Sequence, residues 1–271
     1  MMGFYRSDVA RQAANLAGAI FQIVAAAVAG PEIGRVAQEN ETLLLPATYA
    51  FGIWTPIFAL SLAYALYAAF PIKREDPLLR RVGWFTAAAF LLNGVWELAF
   101  PASQFILAQV VLVGVFVASG LAYLKTQRQI AEARANEPLS GRWLVAPTAG
   151  LLFGWVSAAT LVGFATTLSA LGVPGVGLVG VLVGGALLLL GGLLASAALL
   201  AGRFGPTLGY LSYGAAFLWA LAAVMVNRYD VSEIITEIAA LVALFVAAVL
   251  FVSWRQARAR RLRPARPRTV R

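Results

Sequence analysis

The sequence predicts an all-α integral membrane protein with eight transmembrane helices and both termini on the cytoplasmic side. Three observations carry this. Of the 271 residues, 61% are hydrophobic and 12% charged, whereas a soluble domain carries about 25% charged residues. The charges gather in short clusters between long apolar runs. The basic clusters fall at every second joint, as the preference of Lys and Arg for cytoplasmic loops requires.

A spanning helix needs about 20 mostly apolar residues. Eight runs qualify, near 12–29, 47–70, 82–100, 103–124, 143–168, 175–201, 205–226 and 232–254. The first follows Arg6 and Arg11 and ends in "AVAG", flanks that also suit a signal peptide. Its apolar stretch exceeds the ~7–15 residues of a signal core, which favours a retained helix. The polar joint "GPEIGRVAQENETLLLP" leads to the second helix, and "PIKREDPLLRR" to the third. The third closes on "LLNGVWELAFP", where Asn93, Trp96 and Glu97 interrupt the apolar run. A short "PAS" turn starts the fourth, and "KTQRQIAEARANEPLSGR" separates it from the fifth. The sixth, "GVGLVGVLVGGALLLLGGLLASAALLAG", reads as a packing helix, because small residues four apart let backbones approach. It is no phosphate loop, since no strand precedes it and no Gly-Lys-Ser/Thr follows. The seventh carries Tyr210, Tyr213 and Trp219, for docking or bundle packing, and the eighth has Glu237 near its outer end.

With the N-terminus inside, the cytoplasmic segments hold Arg6, Arg11, Lys73, Arg74, Arg80, Arg81, Lys125, Arg128, Arg134, Arg142, Arg203 and eight tail arginines, 19 of 21 basic residues. Only Arg35 and Arg228 fall outside. The net charge of +9 therefore points to anionic lipid beside the tail, not to nucleic acid. The absence of Cys and His removes disulfides, thiolate metal sites, cysteine nucleophiles and the commonest general base and haem ligand. Only Met or Tyr is left to ligate a haem iron. Lys73 and Lys125 both lie in joints, which excludes a buried retinal Schiff base.

Polar and aromatic residues can be placed by depth. At 1.5 Å rise per residue, Trp54 lies roughly 12 Å and Asn93 roughly 10 Å below the outer boundary. Trp155 lies roughly 18 Å above the inner boundary, again in the outer half of a ~30 Å core. Three helices thus bring their most distinctive side chains to one level, deeper than an interfacial aromatic belt. Polar groups at that depth face protein or a cavity. For Asn93 the choice is a pocket or a helix–helix hydrogen bond. For Glu97 it is a titrating role or a group reaching the outer surface.

The same residues carry a family resemblance. "LPATYAFGIWTPIF", "LLNGVWELAF" and "APTAGLLFGWVSAATLVGF" resemble, in order and spacing, the second-, third- and fifth-helix motifs of the TspO/MBR family. These are the tryptophan-rich sensory proteins, related to the mitochondrial translocator protein (the peripheral benzodiazepine receptor). The chain departs from the pattern in having three more helices, Gly163 where an asparagine is usual, and only Pro46 where many members have two prolines. The resemblance implies a five-helix bundle at 1–170, to which the apolar runs add three helices at 171–254 and the arginines a basic cytoplasmic tail at 255–271. It implies an aromatic-lined pocket for a flat hydrophobic ligand, above all a tetrapyrrole such as a porphyrin or haem, with no cofactor required. Trp54, Asn93, Trp155 and Ala159 transfer by motif, and helical spacing adds Phe51, Phe58, Trp96 and Thr160 to the wall. Homodimers and light-dependent porphyrin degradation occur in the family. The expected role is a receptor or carrier in a bacterial cytoplasmic membrane, in contact with lipid. Two other roles stay open: a proton- or ion-coupled transporter using Glu97 and Glu237, and an assembly factor docking through the last three helices.

Overall fold

A computed structural model describes residues 2–132 and 142–262. Arg134 and the tail arginines from 263 onward lie outside them. Eight helices follow in order: α1 (Met2–Glu39), α2 (Trp54–Ala69), α3 (Pro77–Ala99), α4 (Phe105–Glu132), α5 (Arg142–Ala170), α6 (Gly177–Gly202), α7 (Thr207–Arg228) and α8 (Glu233–Leu262). All eight are long and apolar enough to cross a membrane, and no strand occurs among the described residues.

Several helices outrun the apolar runs that mark them: α1 starts at Met2, α3 at Pro77, and α4 continues to Glu132, so that Lys125 lies on a helix and not in a joint. α1 continues through Pro31 to Glu39. Past the proline the helix is amphipathic: Ile33, Val36 and Ala37 are buried, while Arg35 bridges Glu32 and Glu39 on the exposed face. The second run is divided into a 3-10 turn, Thr48–Ile53, and then α2. Pro56 falls in the first turn of α2, where its missing N–H leaves no intrahelical bond unmade. α8 runs on into the basic tail as far as Leu262.

α3 packs on α1 and α4, α5 packs on α4 and α7, and α8 closes against α6 and α7. The α5–α7 seam is a backbone contact. A Cβ on Gly150 or Gly154 would collide with the carbonyl oxygens of Gly209 and Tyr213. Small residues at such a crossing maximise van der Waals contact where lipid gives no hydrophobic drive. Tyr123, Phe153 and Tyr213 pack beside it with ring centroids 5.0–5.6 Å apart. Tyr210 and Tyr213 are thus packing residues with no exposed surface. On α6, Gly184, Gly185 and Gly192 receive Ile235, Ile238 and Val242 of α8. The last three helices are therefore joined to the first five through α5.

At the basic end, α1 is sewn to α2 and α3 by a polar face. Asp8 accepts from Arg80 at 2.5 Å and from Arg11 at 3.2 Å. Arg11, almost fully buried, donates to the carbonyls of Leu79 at 3.0 Å and Arg74 at 2.8 Å. Gln12 donates to the Ala68 carbonyl at 2.6 Å, and Asn15 to that of Gly83 at 2.7 Å. Asp76 caps α3 by accepting from the Leu78 amide at 2.9 Å, with Pro77 pre-set in the first turn.

Filling the α5–α7 crossing should be costly. Gly154→Val should destabilise the detergent-solubilised protein by about 1–3 kcal/mol through overpacking, seen as a lower thermal midpoint. Gly34→Ala, where a Cβ meets open space, should leave the midpoint unchanged or slightly higher.

Candidate ligand-binding site

Beyond α1 the chain crosses the end of the bundle opposite the basic one. Leu43, Leu44 and Leu45 are buried there, although polar residues flank them. Several bonds hold this segment down. The Leu43 amide donates to the Gly175 carbonyl and the Ala47 amide to the Ala223 carbonyl, both at 3.0 Å. Asn227 donates to the Leu45 carbonyl at 2.9 Å, and Arg228 donates to it at 3.4 Å. Arg228 also pairs with Glu41 at 2.7 Å. Farther on, the Trp219 indole N–H donates to the Ala50 carbonyl at 3.0 Å. Arg228 lies outside the cytoplasmic set because it is a buried fastener, 3% exposed.

Under this cap lies a hollow of about 70 Å³. Leu44, Leu45 and Pro46 roof it, and α1 adds Ile33 and Ala37. The aromatic wall is Phe51, Trp54, Trp96, Phe100, Trp155 and Phe217. Trp54 stands 6.1 Å from Trp155, edge to face, and 6.5 Å from Trp96, measured between ring centroids. Ala159 and Gly163 leave space beside Trp155. Gln109 of α4 is the side chain a Cβ on Gly163 would meet first.

The expected residues divide into two sets. Trp54, Trp155, Trp96, Phe51 and Ala159 line the hollow together. Phe58 stacks behind Trp54 at 5.2 Å, off the wall. Thr160 bonds its hydroxyl to the Val156 carbonyl at 2.7 Å, and its own carbonyl accepts from Gln109. Asn93 turns away from the hollow and donates to Gln22 of α1 at 3.2 Å. Glu97 is 1% exposed, so it does not reach the surface. Glu237 is exposed on α8.

The sequence reading did not anticipate the roof, nor the wall from Leu187 and Leu188 of α6 and Phe217 and Leu221 of α7. The signal for the roof was "LLLP", an apolar run inside a polar joint. For α7 no sequence signal separated hollow-facing from lipid-facing apolar residues.

Among the described residues no Asp, Glu, Lys or Arg lines the hollow. Thr166 lines it, but its hydroxyl is already bonded to the Val162 carbonyl at 3.0 Å. The Trp155 indole N–H is buried without an acceptor. Such orphan donors are rare and invite a partner. The chain matches the family model described as TSPO-like protein over residues 12–254. It belongs to that family. The match takes in all eight helices of this TSPO-like chain, α6 to α8 included. No curated protein and no solved structure matches it.

The Arg228–Glu41 pair should govern how firmly the roof is closed. Arg228→Ala removes charge-assisted bonds of about 1.5–3 kcal/mol. Hydrogen exchange at the Leu43 and Ala47 amides should accelerate about tenfold or more, with mid-helix amides of α4 unchanged.

Proposed function

We propose that this TSPO-like protein is a membrane receptor or carrier for a flat, electrically neutral, hydrophobic molecule bearing a hydrogen-bond acceptor. One observation carries the reading: an aromatic wall without charged side chains, to which Trp155 adds an indole N–H buried without an acceptor. Apolar burial and ring stacking would supply most of the affinity, and the indole N–H would fix orientation. The uncharged wall favours a ligand whose acidic groups are absent, masked or held outside. A tetrapyrrole with esterified carboxyls fits that description better than its free diacid. We place the protein in a bacterial cytoplasmic membrane on the strength of its basic-inside pattern.

The size of the hollow sets the entry mechanism. At about 70 Å³ it is well below the ~300–1,000 Å³ of sites for drug-sized ligands. A ligand of tetrapyrrole size enters only if the roof of Leu44, Leu45 and Pro46 is displaced. The roof is tied to α7 through Ala223, Asn227 and Arg228, so α7 acts as its anchor.

Titration with protoporphyrin IX and its dimethyl ester tests the reading through quenching of tryptophan fluorescence. The ester should bind more tightly than the diacid. Trp155→Phe keeps a ring but loses the donor, and should weaken ester binding by about fivefold, the worth of a net hydrogen bond near 1 kcal/mol. The double change Trp54→Phe and Trp155→Phe should remove most of the quenching. Quenching unaltered in the double variant would contradict the proposal.

A further inference from the structure

A second polar feature lies on the other side of α3 and plays no part in the hollow. Gln22, Asn93 and Glu97 meet at the α1–α3 seam. Gln22 and Asn93 are fully buried and Glu97 is 1% exposed. The Asn93 amide donates to Gln22 Oε1 at 3.2 Å and also lies against the Glu97 carboxyl, one turn along the helix. Three polar atoms there have no partner: Gln22 Nε2, Asn93 Oδ1 and Glu97 Oε1. Two of the three are acceptors on one helix face.

No counter-charge stands near. Residues 12–31 of α1, 47–72 around α2 and 105–124 of α4 contain no Asp, Glu, Lys or Arg. On α1 the charged groups are Arg6, Asp8 and Arg11 at the basic end and Glu32, Arg35 and Glu39 at the other, where Arg35 is occupied by both glutamates. On α4 they are Lys125, Arg128 and Glu132, at the basic end. Tyr64 and Tyr123 also lie towards the basic end, Tyr64 bonded to Thr86 at 2.9 Å and Tyr123 to the Ala198 carbonyl at 3.3 Å. A bare carboxylate with only amides for company is strongly disfavoured in a low-dielectric interior. Exchanging the oxygen and nitrogen of either amide does not alter this, since neither orientation supplies a positive charge.

We propose that the Gln22–Asn93–Glu97 cluster is a proton-binding site, with Glu97 holding the proton as a neutral carboxylic acid. The added O–H supplies a donor where two acceptors lack one, and the Asn93 and Gln22 amides complete the bonding. Proton exchange takes place at the outer end of the seam, since Glu97 lies two residues before the end of α3 at Ala99. Trp96, the neighbour of Glu97 on α3, lines the hollow, so one helix carries both the proton site and part of the ligand wall. The inference stands apart from the ligand reading and does not depend on it.

Infrared spectroscopy of the full-length protein in lipid at pH 7 tests it. Glu97 is the one described acid buried in the middle of the helix packing, and a neutral-carboxyl C=O band is assigned to it by its loss in Glu97→Gln. The band should be present in the wild type, shift in D2O, and be lost in Glu97→Gln. Dicyclohexylcarbodiimide, an apolar reagent, should also add to the protein. The acid O–H adds across a C=N bond to give an O-acylisourea, which rearranges to the N-acylurea with no leaving group. Mass analysis should find one such adduct, on the α3 peptide holding Glu97, and none there in Glu97→Gln. A wild type with no neutral-carboxyl band, or a band undiminished in Glu97→Gln, overturns the proposal. The wild-type spectrum decides the matter even if the variant folds poorly.

Discussion

Gly150 and Gly154 let α5 lie directly against the backbone of α7, and the arrangement of the hollow follows from that approach. α7 brings Phe217 and Leu221 to the hollow that Trp54 and Trp155 also line. It also carries the groups that tie down the roof: the Ala223 carbonyl, Asn227 and Arg228, with Trp219 holding the turn before α2. A wider α5–α7 spacing would move wall and roof anchor together. In lipid, where association rests on close packing and internal hydrogen bonds, two glycines one turn apart are an effective way to set that spacing.

A second constraint acts on the other side of the bundle. Buried polar groups in hydrocarbon need partners. α1 meets this with residues 8, 11, 12, 15 and 22 on one face, most of them aimed at backbone carbonyls and side chains of α2 and α3. The bonds are dense at the basic end and sparse near Glu97. The bundle is thus firmly sewn where the charged loops lie, while its opposite end depends on the roof segment and an uncharged polar cluster.

Much of the fold was legible because charge segregation and run length are strong signals in a membrane chain. The eight spans and their alternation follow from them. The extension of α1 to Glu39 was hidden by Pro31 and by a density of charge that resembles a loop, although the 3- and 4-residue spacing of Glu32, Arg35 and Glu39 is helical. The polar face of α1 was present at helical spacing but masked by the apolar residues around it. At the site, depth brought Trp54 and Trp155 together. Depth cannot give the direction in which a side chain leaves its helix, so Asn93 shares their level yet faces Gln22. The walls from α6 and α7 are made of Leu, Ala, Val and Phe, residues that look the same whether they face lipid, protein or a hollow.

The central claim is that indoles from α2, α3 and α5 and apolar residues of α7 enclose one ligand site. A flat, neutral ligand carrying a photoreactive diazirine tests it most directly, with adducts mapped by mass spectrometry. The account predicts adducts on peptides holding Trp54 or Trp155 and also on the α7 peptide holding Phe217 and Leu221, all suppressed by excess unlabelled ligand. Adducts confined to outward-facing residues such as Leu193 and Leu244, which are 64% and 68% exposed, and insensitive to competitor, would contradict it.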